Sequence, residues 1–329
     1  SAMVGKLTSD TKLSGSLAPA LMGQSHPSFG MSRNDLMAKT LNARGHSNYK
    51  TQTFSGSEAA DFGNEFEATI IKKAAQRLAI EKFNSEVTAV YDYEDLFSVS
   101  LDAIFYNEVM DIEATDNIFL MNGKDTMRLE GNGICESKLT SVHYTETPPP
   151  YRGPWQLQMQ MMCYGATWGV IATLYQGTRL VLNIYEADPV MQSQLIEAAK
   201  DFYQRLDGPD WYPAMDSGDG ARTFAQGKDH LPAIDLEPIA DLALQYYDAK
   251  RAARAAEALA KSIEPKIMDA MGNHEVAYLN DETGEKMFEL TWPTRAYKAQ
   301  PEKTAPSKPA RIERQKSLSL AAKWLGDAA

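Results

Sequence analysis

The segment Gly133-Ile134-Cys135-Glu136-Ser137-Lys138-Leu139 constrains this chain more than any other. Its apolar content and alternation read as a strand with Ile134, Glu136 and Lys138 on one face. Alternation sets the Glu136 and Lys138 side chains about 7 Å apart along that face. A plain core strand avoids two ionic groups so placed, because burying them is costly unless something pairs with them. This strand is therefore the first place to look for chemistry.

A second strand is read over 97–106. Phe97, Val99, Leu101, Ala103 and Phe105 alternate on one face, with Ser98, Ser100, Asp102 and Ile104 on the other. This reading puts Asp102 mid-strand, where a carboxylate is again expensive. Upstream, residues 57 to about 84 carry a helical pattern. Phe62, Phe66, Ile70 and Ile71 share a face that continues through Ala74, Ala75 and Leu78, and Glu67 lies near it.

These residues fit one kind of chemistry. Phosphodiester hydrolysis needs an in-line water, neutralised phosphate oxygens and a stabilised leaving oxygen, and magnesium bound by hard oxygen ligands supplies all three. A minimal site is two or three carboxylates on rigid elements plus a cation. Glu136 can bind the metal while Lys138 reaches the attacking water or the scissile phosphate. Asp102 joins from the neighbouring strand, and Glu67 completes the shell or holds a second ion. Each piece alone is a weak signal, since Glu-x-Lys on a strand is far more often a surface pair. Their order along the chain is what makes the set informative.

Composition narrows the alternatives. The 329 residues are 43% apolar and 23% charged, enough for a sizeable core in one large domain or two ordinary ones. No apolar run of about 18 residues exists, so no membrane span or membrane partner is expected. The chain opens without a signal-peptide pattern, and Ser1-Ala2-Met3 reads as the remnant of an expression tag. Cys135 and Cys163 are too few for a zinc site and read as buried, reduced thiols, so a cytoplasmic setting, in a bacterial or phage-infected cell, is expected. The net charge of −11 counts against a general nucleic-acid binder but leaves room for local basic groups. The five histidines, His143 and His230 among them, show no ligand spacing.

Four segments together resemble a known family. Gly63-Asn64-Glu65-Phe66-Glu67 resembles the Gly-x-x-x-Glu helix of the lambda-exonuclease-like (YqaJ-type) viral recombinases of the PD-(D/E)xK nuclease superfamily. Ser100-Leu101-Asp102 is similar to their Ser-x-Asp strand, and Glu136-Ser137-Lys138 to their Glu-x-Lys strand. The run from Trp155 through Gln156 to Gln160 is similar to their glutamine-rich helix. Ser14-Gly15-Ser16 and the stretch from Ala18 to Gly23, with Ser28-Phe29 and Asn34-Asp35-Leu36, look like the family's N-terminal segment. The match spans about residues 11 to 190.

The resemblance implies a restriction-endonuclease-like α/β fold, a mixed central sheet flanked by helices. It implies a phage-type exonuclease that hydrolyses linear double-stranded DNA, 5′ to 3′, by a two-metal mechanism for DNA recombination. Magnesium would be the cofactor, with manganese as a substitute. DNA, a single-strand annealing protein and further copies of the chain would be partners. The implied roles are metal binding for Glu67, Asp102 and Glu136, the nucleophile for Lys138, and orientation of Lys138 or DNA for Gln156. Gln160, one turn on, is a substrate-binding candidate. A backbone carbonyl of Ile134, Cys135 or Ser137 is a further candidate ligand. The sequence departs from the pattern in the long stretch between Asp102 and Glu136, and in Gly153, which stands where a tyrosine often precedes the glutamine helix, with Tyr151 close by.

The remainder is read more coarsely. A short helix begins near Asp35, capped by Ser32 or Asn34. Residues 107–131 read as an acidic hairpin turning at Asn122-Gly123, with Asp111, Glu113, Asp116 and Asp125 solvated. A helix follows Trp155, a strand pair turns at Gln176-Gly177, and Asp188 starts another helix. Residues 207–232 read as loop, and a helix from about 236 to 271 as interrupted near Pro265. A hairpin turns at Glu282-Thr283-Gly284. The expected organisation is a nuclease core over 1–205, a C-terminal helix and β-hairpin extension over 206–298, and a flexible tail over 299–329. That tail carries Lys303, Lys308, Arg311, Arg314 and Lys316, which could contact DNA phosphates. Two other functions compete: a structure- or single-strand-selective endonuclease on the same site, and a non-catalytic DNA-binding module.

Overall fold

A computed structural model describes residues 8, 11–26, 30–46, 49–50, 58–224, 237–292, 294–297 and 311–314. The chain divides into two compact units, Ser1–Asp229 and His230–Ala329.

The first unit begins with a 3-10 turn, Gly15–Leu17, that runs into α1 (Ala18–Leu21). Helix α2 (Arg33–Ala43) starts at Ser32. The Ser32 hydroxyl accepts from the Asp35 amide, and the Asp35 carboxylate accepts from the Ser32 amide, so two otherwise orphaned donors are satisfied reciprocally. Helix α3 (Glu58–Arg77) carries Glu67. It is shorter than the sequence pattern suggested. Ala79 takes a left-handed φ of 55°, and the Ile80 amide closes back on the Ala75 carbonyl, which ends the helix. Residues Lys82–Asn84, expected as its last turn, form strand β1 instead. The buried stripe also begins later than expected. Ile70, Ile71, Ala74, Ala75 and Leu78 are buried, whereas Phe62 and Phe66 are 45% and 42% exposed.

Strands β2 (Tyr91–Tyr93) and β3 (Phe97–Val99) pair with each other, and β4 (Ala103–Tyr106) follows. The single strand read over 97–106 is thus broken at 100–102. Its two halves join different sheets, and Asp102 lies in the break rather than mid-strand. The acidic segment is more than a hairpin. Strand β5 (Val109–Glu113) pairs with β7 (Thr126–Glu130), but between them β6 (Ile118–Leu120) joins the edge of the main sheet. The turn at Gly123, with φ +74°, links β6 to β7. Asp111, Glu113, Asp116 and Asp125 are all exposed.

Strand β8 (Gly133–Thr140), helix α4 (Pro154–Tyr164), strands β9 (Trp168–Tyr175) and β10 (Arg179–Glu186) and helix α5 (Pro189–Asp207) complete the framework. β9 and β10 turn at Gln176-Gly177, both at positive φ, as a two-residue hairpin requires. Asp188 caps α5 by accepting from the amides of Val190 and Met191. The main sheet runs β1-β4-β8-β9-β10-β6. It is mixed: β8–β9 and β10–β6 are parallel, and the other neighbours antiparallel.

Apolar residues cover both faces of this sheet. On one, Ile70, Ile71, Ala74 and Leu78 of α3 join Phe105, Cys135, Val170 and Leu182. On the other, Leu157, Met159 and Met161 of α4 and Leu195 and Phe202 of α5 join Ile104, Ile134 and Ile171, with α1 and α2 behind them. The result is a mixed α/β fold with a central sheet flanked by helices.

Residues 208–224, expected as loop outside the core, return to α2. Helix α6 (Ser217–Thr223) places Arg222 on Asp35, with bonds of 2.8 and 2.7 Å, while Asn34 exchanges hydrogen bonds with the Tyr212 backbone.

The second unit contains the 3-10 turn Glu237–Ile239, α7 (Ala240–Met271) and a hairpin of β11 (Val276–Asn280) and β12 (Lys286–Thr291). The expected interruption of α7 is absent; Pro265 sits inside a continuous helix. β13 (Thr294–Tyr297) pairs with β14 (Arg311–Arg314), so this part of the expected tail is a strand. Lys303, Lys308 and Lys316, and His230, lie outside the described residues. Among the described residues no helix is long and apolar enough to cross a membrane.

Candidate active site

β8 is the centre of the site. Parallel pairing with β9 and antiparallel pairing with β4 fix its backbone on both sides. Glu136 is 2% exposed, yet its carboxylate is fully engaged. Lys138 Nζ donates to Glu136 Oε1 at 2.5 Å, and Gln160 Nε2 donates to Glu136 Oε2 at 2.7 Å. Lys138 also donates to Gln156 Oε1 at 3.2 Å. The expected shared face of Glu136 and Lys138 is therefore an ion pair gripped by two glutamines of α4.

Asp102 approaches from the break before β4 and accepts from the Ser137 amide at 2.8 Å. That one bond does not offset its surroundings. Burial, reinforced by the negative charge of Glu136, pushes its carboxyl up to about 8, against the pull of Lys138. Glu67, half-buried on α3, is raised by burial and by Glu136 as well, and Lys138 opposes the shift. Burial would lower the Lys138 pKa, but Glu136, Asp102 and Glu67 outweigh it and hold the ammonium above the ordinary lysine value. The three carboxylates thus stabilise the ammonium form of Lys138.

The structure brings all six sequence-predicted residues into one neighbourhood, contributed by α3, the 100–102 break, β8 and α4. Gln160 is 2% exposed and donates to the Ser100 carbonyl at 3.1 Å as well as to Glu136, so it faces the interior and not solvent. Neighbouring Gln158 is structural: its amide donates to the Glu186 carbonyl and its oxygen accepts from the Asp188 amide, tying α4 to the start of α5. Sequence reasoning missed the Ser137 amide and the Ser100 carbonyl, which are backbone groups without a residue signature. Gly15 stands in the sequence as part of the Ser14-Gly15-Ser16 resemblance, but its position against Gln156 and Gln160 was not legible there. Cys135 is fully buried, and burial with the nearby carboxylates raises its thiol well above the ordinary range. Cys135 and Cys163 are both free thiols.

The donor set can be tested against a divalent cation. Three carboxylates and one ammonium share a field that leaves Asp102 protonated near neutral pH. A dication would relieve that repulsion, and all-oxygen donors suit magnesium. Among the described residues no three His, Cys, Asp or Glu side chains, Glu67, Asp102 and Glu136 included, are grouped closely enough to hold one metal ion together. The fit is therefore to an ion that takes one or two carboxylates and completes its shell with water or phosphate oxygens, as magnesium does.

No protein-family model and no curated protein matches the sequence. Among solved structures, the chain is similar to the alkaline exonuclease LHK-Exo of Laribacter hongkongensis. The complex of LHK-Exo with dAMP aligns at 18% identity and a TM-score of 0.43, over 61% of this chain and 90% of that one. The alkaline exonuclease structure itself gives 16% identity and 0.43, over 60% and 89%. A phage-related exonuclease from Haemophilus somnus 129PT aligns at 14% identity and a TM-score of 0.38, over 60% of this chain and 95% of that one.

Proposed function

We propose that this protein is a metal-dependent deoxyribonuclease of the lambda-exonuclease-like kind, degrading linear double-stranded DNA from an end, 5′ to 3′, in phage-type recombination. The observation that carries this reading is the site itself: Glu67, Asp102, Glu136 and Lys138 come from separate elements into one field, with the Asp102 carboxyl raised to about 8. Shifts of this kind, produced by burial and like charge, cluster at functional sites.

Glu67, Asp102 and Glu136 would hold magnesium, or manganese in its place, with one or two of these carboxylates on each ion. Bound there, a pair of such ions would supply positive charge to neutralise the phosphate oxygens and to favour the attacking water and the leaving oxygen. Asp102 gives up its proton as the site takes up positive charge, and its carboxylate then stays oriented by the Ser137 amide. Lys138 has three donor hydrogens, of which Glu136 and Gln156 take two. The third is left for the attacking water or a phosphate oxygen. Gln156 holds the ammonium in place through its carbonyl oxygen. Beyond DNA, a single-strand annealing protein and further copies of this chain are the proposed partners, in the cytoplasm of a bacterial host.

The mode of attack is tested by offering linear and covalently closed circular duplex DNA of the same sequence with magnesium. Nucleotide release from the linear form with the circle left intact is expected. Cutting of the closed circle would overturn the exonuclease reading in favour of an endonuclease on the same site.

A further inference from the structure

The two glutamines of α4 divide the Glu136–Lys138 pair between them. They lie four residues apart, on one face of the helix. Gln160 donates to the carboxylate, and Gln156 accepts from the ammonium. Gln160 reaches two acceptors with its amide group, Glu136 Oε2 and the Ser100 carbonyl, and both lie inside the protein. At 2% exposure it has no surface to offer DNA. Both glutamine stems lean on the 3-10 turn near the N-terminus. A Cβ at Gly15 would crowd Gln156 Cγ at 3.3 Å and meet Gln160 Cγ at an ordinary 3.5 Å, so the bare backbone there leaves room for Gln156.

We propose that Gln160 is a positioning residue that fixes the Glu136 carboxylate. The inference rests on reading Glu136 as a metal-holding group. A carboxylate beside an ammonium tends to turn both oxygens toward it. Gln160 opposes that turn by anchoring Oε2 to α4 and, through Ser100, to the break that carries Asp102. The carboxylate then keeps one orientation whether or not a cation is present. Partners of this type, one bond removed from a metal, orient the ligand and are costly to remove.

The test uses the full chain, freed of divalent ions, with Gln160→Leu and Gln160→Met variants. The manganese dissociation constant is measured by electron paramagnetic resonance, and kcat and KM on linear duplex DNA are measured alongside. Gln160→Leu is expected to weaken manganese binding and lower kcat by about 10- to 100-fold, with KM for DNA changed less than about twofold. Gln160→Met, which keeps the length of the side chain but lacks the amide donor, should move both in the same direction and to a similar extent. If Gln160→Leu fails to fold, Gln160→Met decides alone. Manganese binding unchanged in the folded variants would overturn the inference, as would a rise in KM with manganese binding unchanged, which would make Gln160 a DNA contact. Wild-type protein that neither binds manganese nor degrades DNA would overturn the nuclease reading and this inference with it.

Discussion

At the residue scale, Asp102 is the most informative group in the molecule. Its carboxyl is raised from the ordinary 3.8 to about 8, chiefly by burial and then by Glu136. Between about pH 4 and pH 8 the folded state keeps a proton that the unfolded chain has released. Stability contributed at this site is therefore present at low pH and lost as pH rises through that window. The metal-free protein should show a melting temperature that falls from pH 5 to pH 8, and Asp102→Asn should flatten that slope. A slope unchanged in Asp102→Asn would show that the repulsion is not centred there. Metal binding should follow the opposite course, tightening toward pH 8, because the ion has to displace the same proton. Much of this was legible in the sequence. Two charges on one face of an apolar strand singled out Glu136 and Lys138, since period-two alternation is a local property of the chain. The placement of Asp102 was not, because a strand break at 100–102 depends on which sheet each half joins. The groups that orient the carboxylates, the Ser137 amide and the Ser100 carbonyl, are backbone atoms that every residue carries.

At the element scale, local signals placed the starts and turns of elements better than their ends. Ser32 was legible as one of two candidate caps beside Asn34, Asp188 as a helix start and Gln176-Gly177 as a hairpin turn, because each is decided by side-chain chemistry within a few residues. Helix α3 overran in the sequence reading because Leu78 continues the apolar stripe, while the reversal at Ala79 needs a left-handed residue that no glycine announces. The acidic segment looked like one hairpin because pairing of β6 with distant β10 leaves no local trace. The same holds for α6, which is short and polar and is held by contacts far away in sequence. Arg222 binds Asp35 through two hydrogen bonds, and the Asp35 side chain is 2% exposed. Arg222→Met would strand that carboxylate in the interior, so a loss of about 3 kcal/mol is expected, read from the urea midpoint at neutral pH. A loss below about 0.5 kcal/mol, the level of an exposed pair, would show that α6 does not clasp α2 in solution.

At the scale of the whole molecule, every residue assigned to the site, and both apolar clusters around the sheet, lie within the first unit. The boundary after residue 229 follows from the return of 208–224 to α2, which a reading based on element order had set outside the core. A fragment of residues 1–229 should therefore fold cooperatively and keep magnesium-dependent DNA hydrolysis. A fragment that folds but binds no divalent ion would mean that the second unit completes the site. Whether the carboxylates gathered around Lys138 hydrolyse DNA is read in a single comparison. Wild-type protein, Glu136→Gln and Lys138→Met are incubated with end-labelled linear duplex and magnesium, with and without a chelator, and released nucleotide is measured. The account predicts release by the wild type that the chelator abolishes, and rates lower by at least about 100-fold in both variants. Release at wild-type rates by either folded variant, or release that survives the chelator, would contradict it.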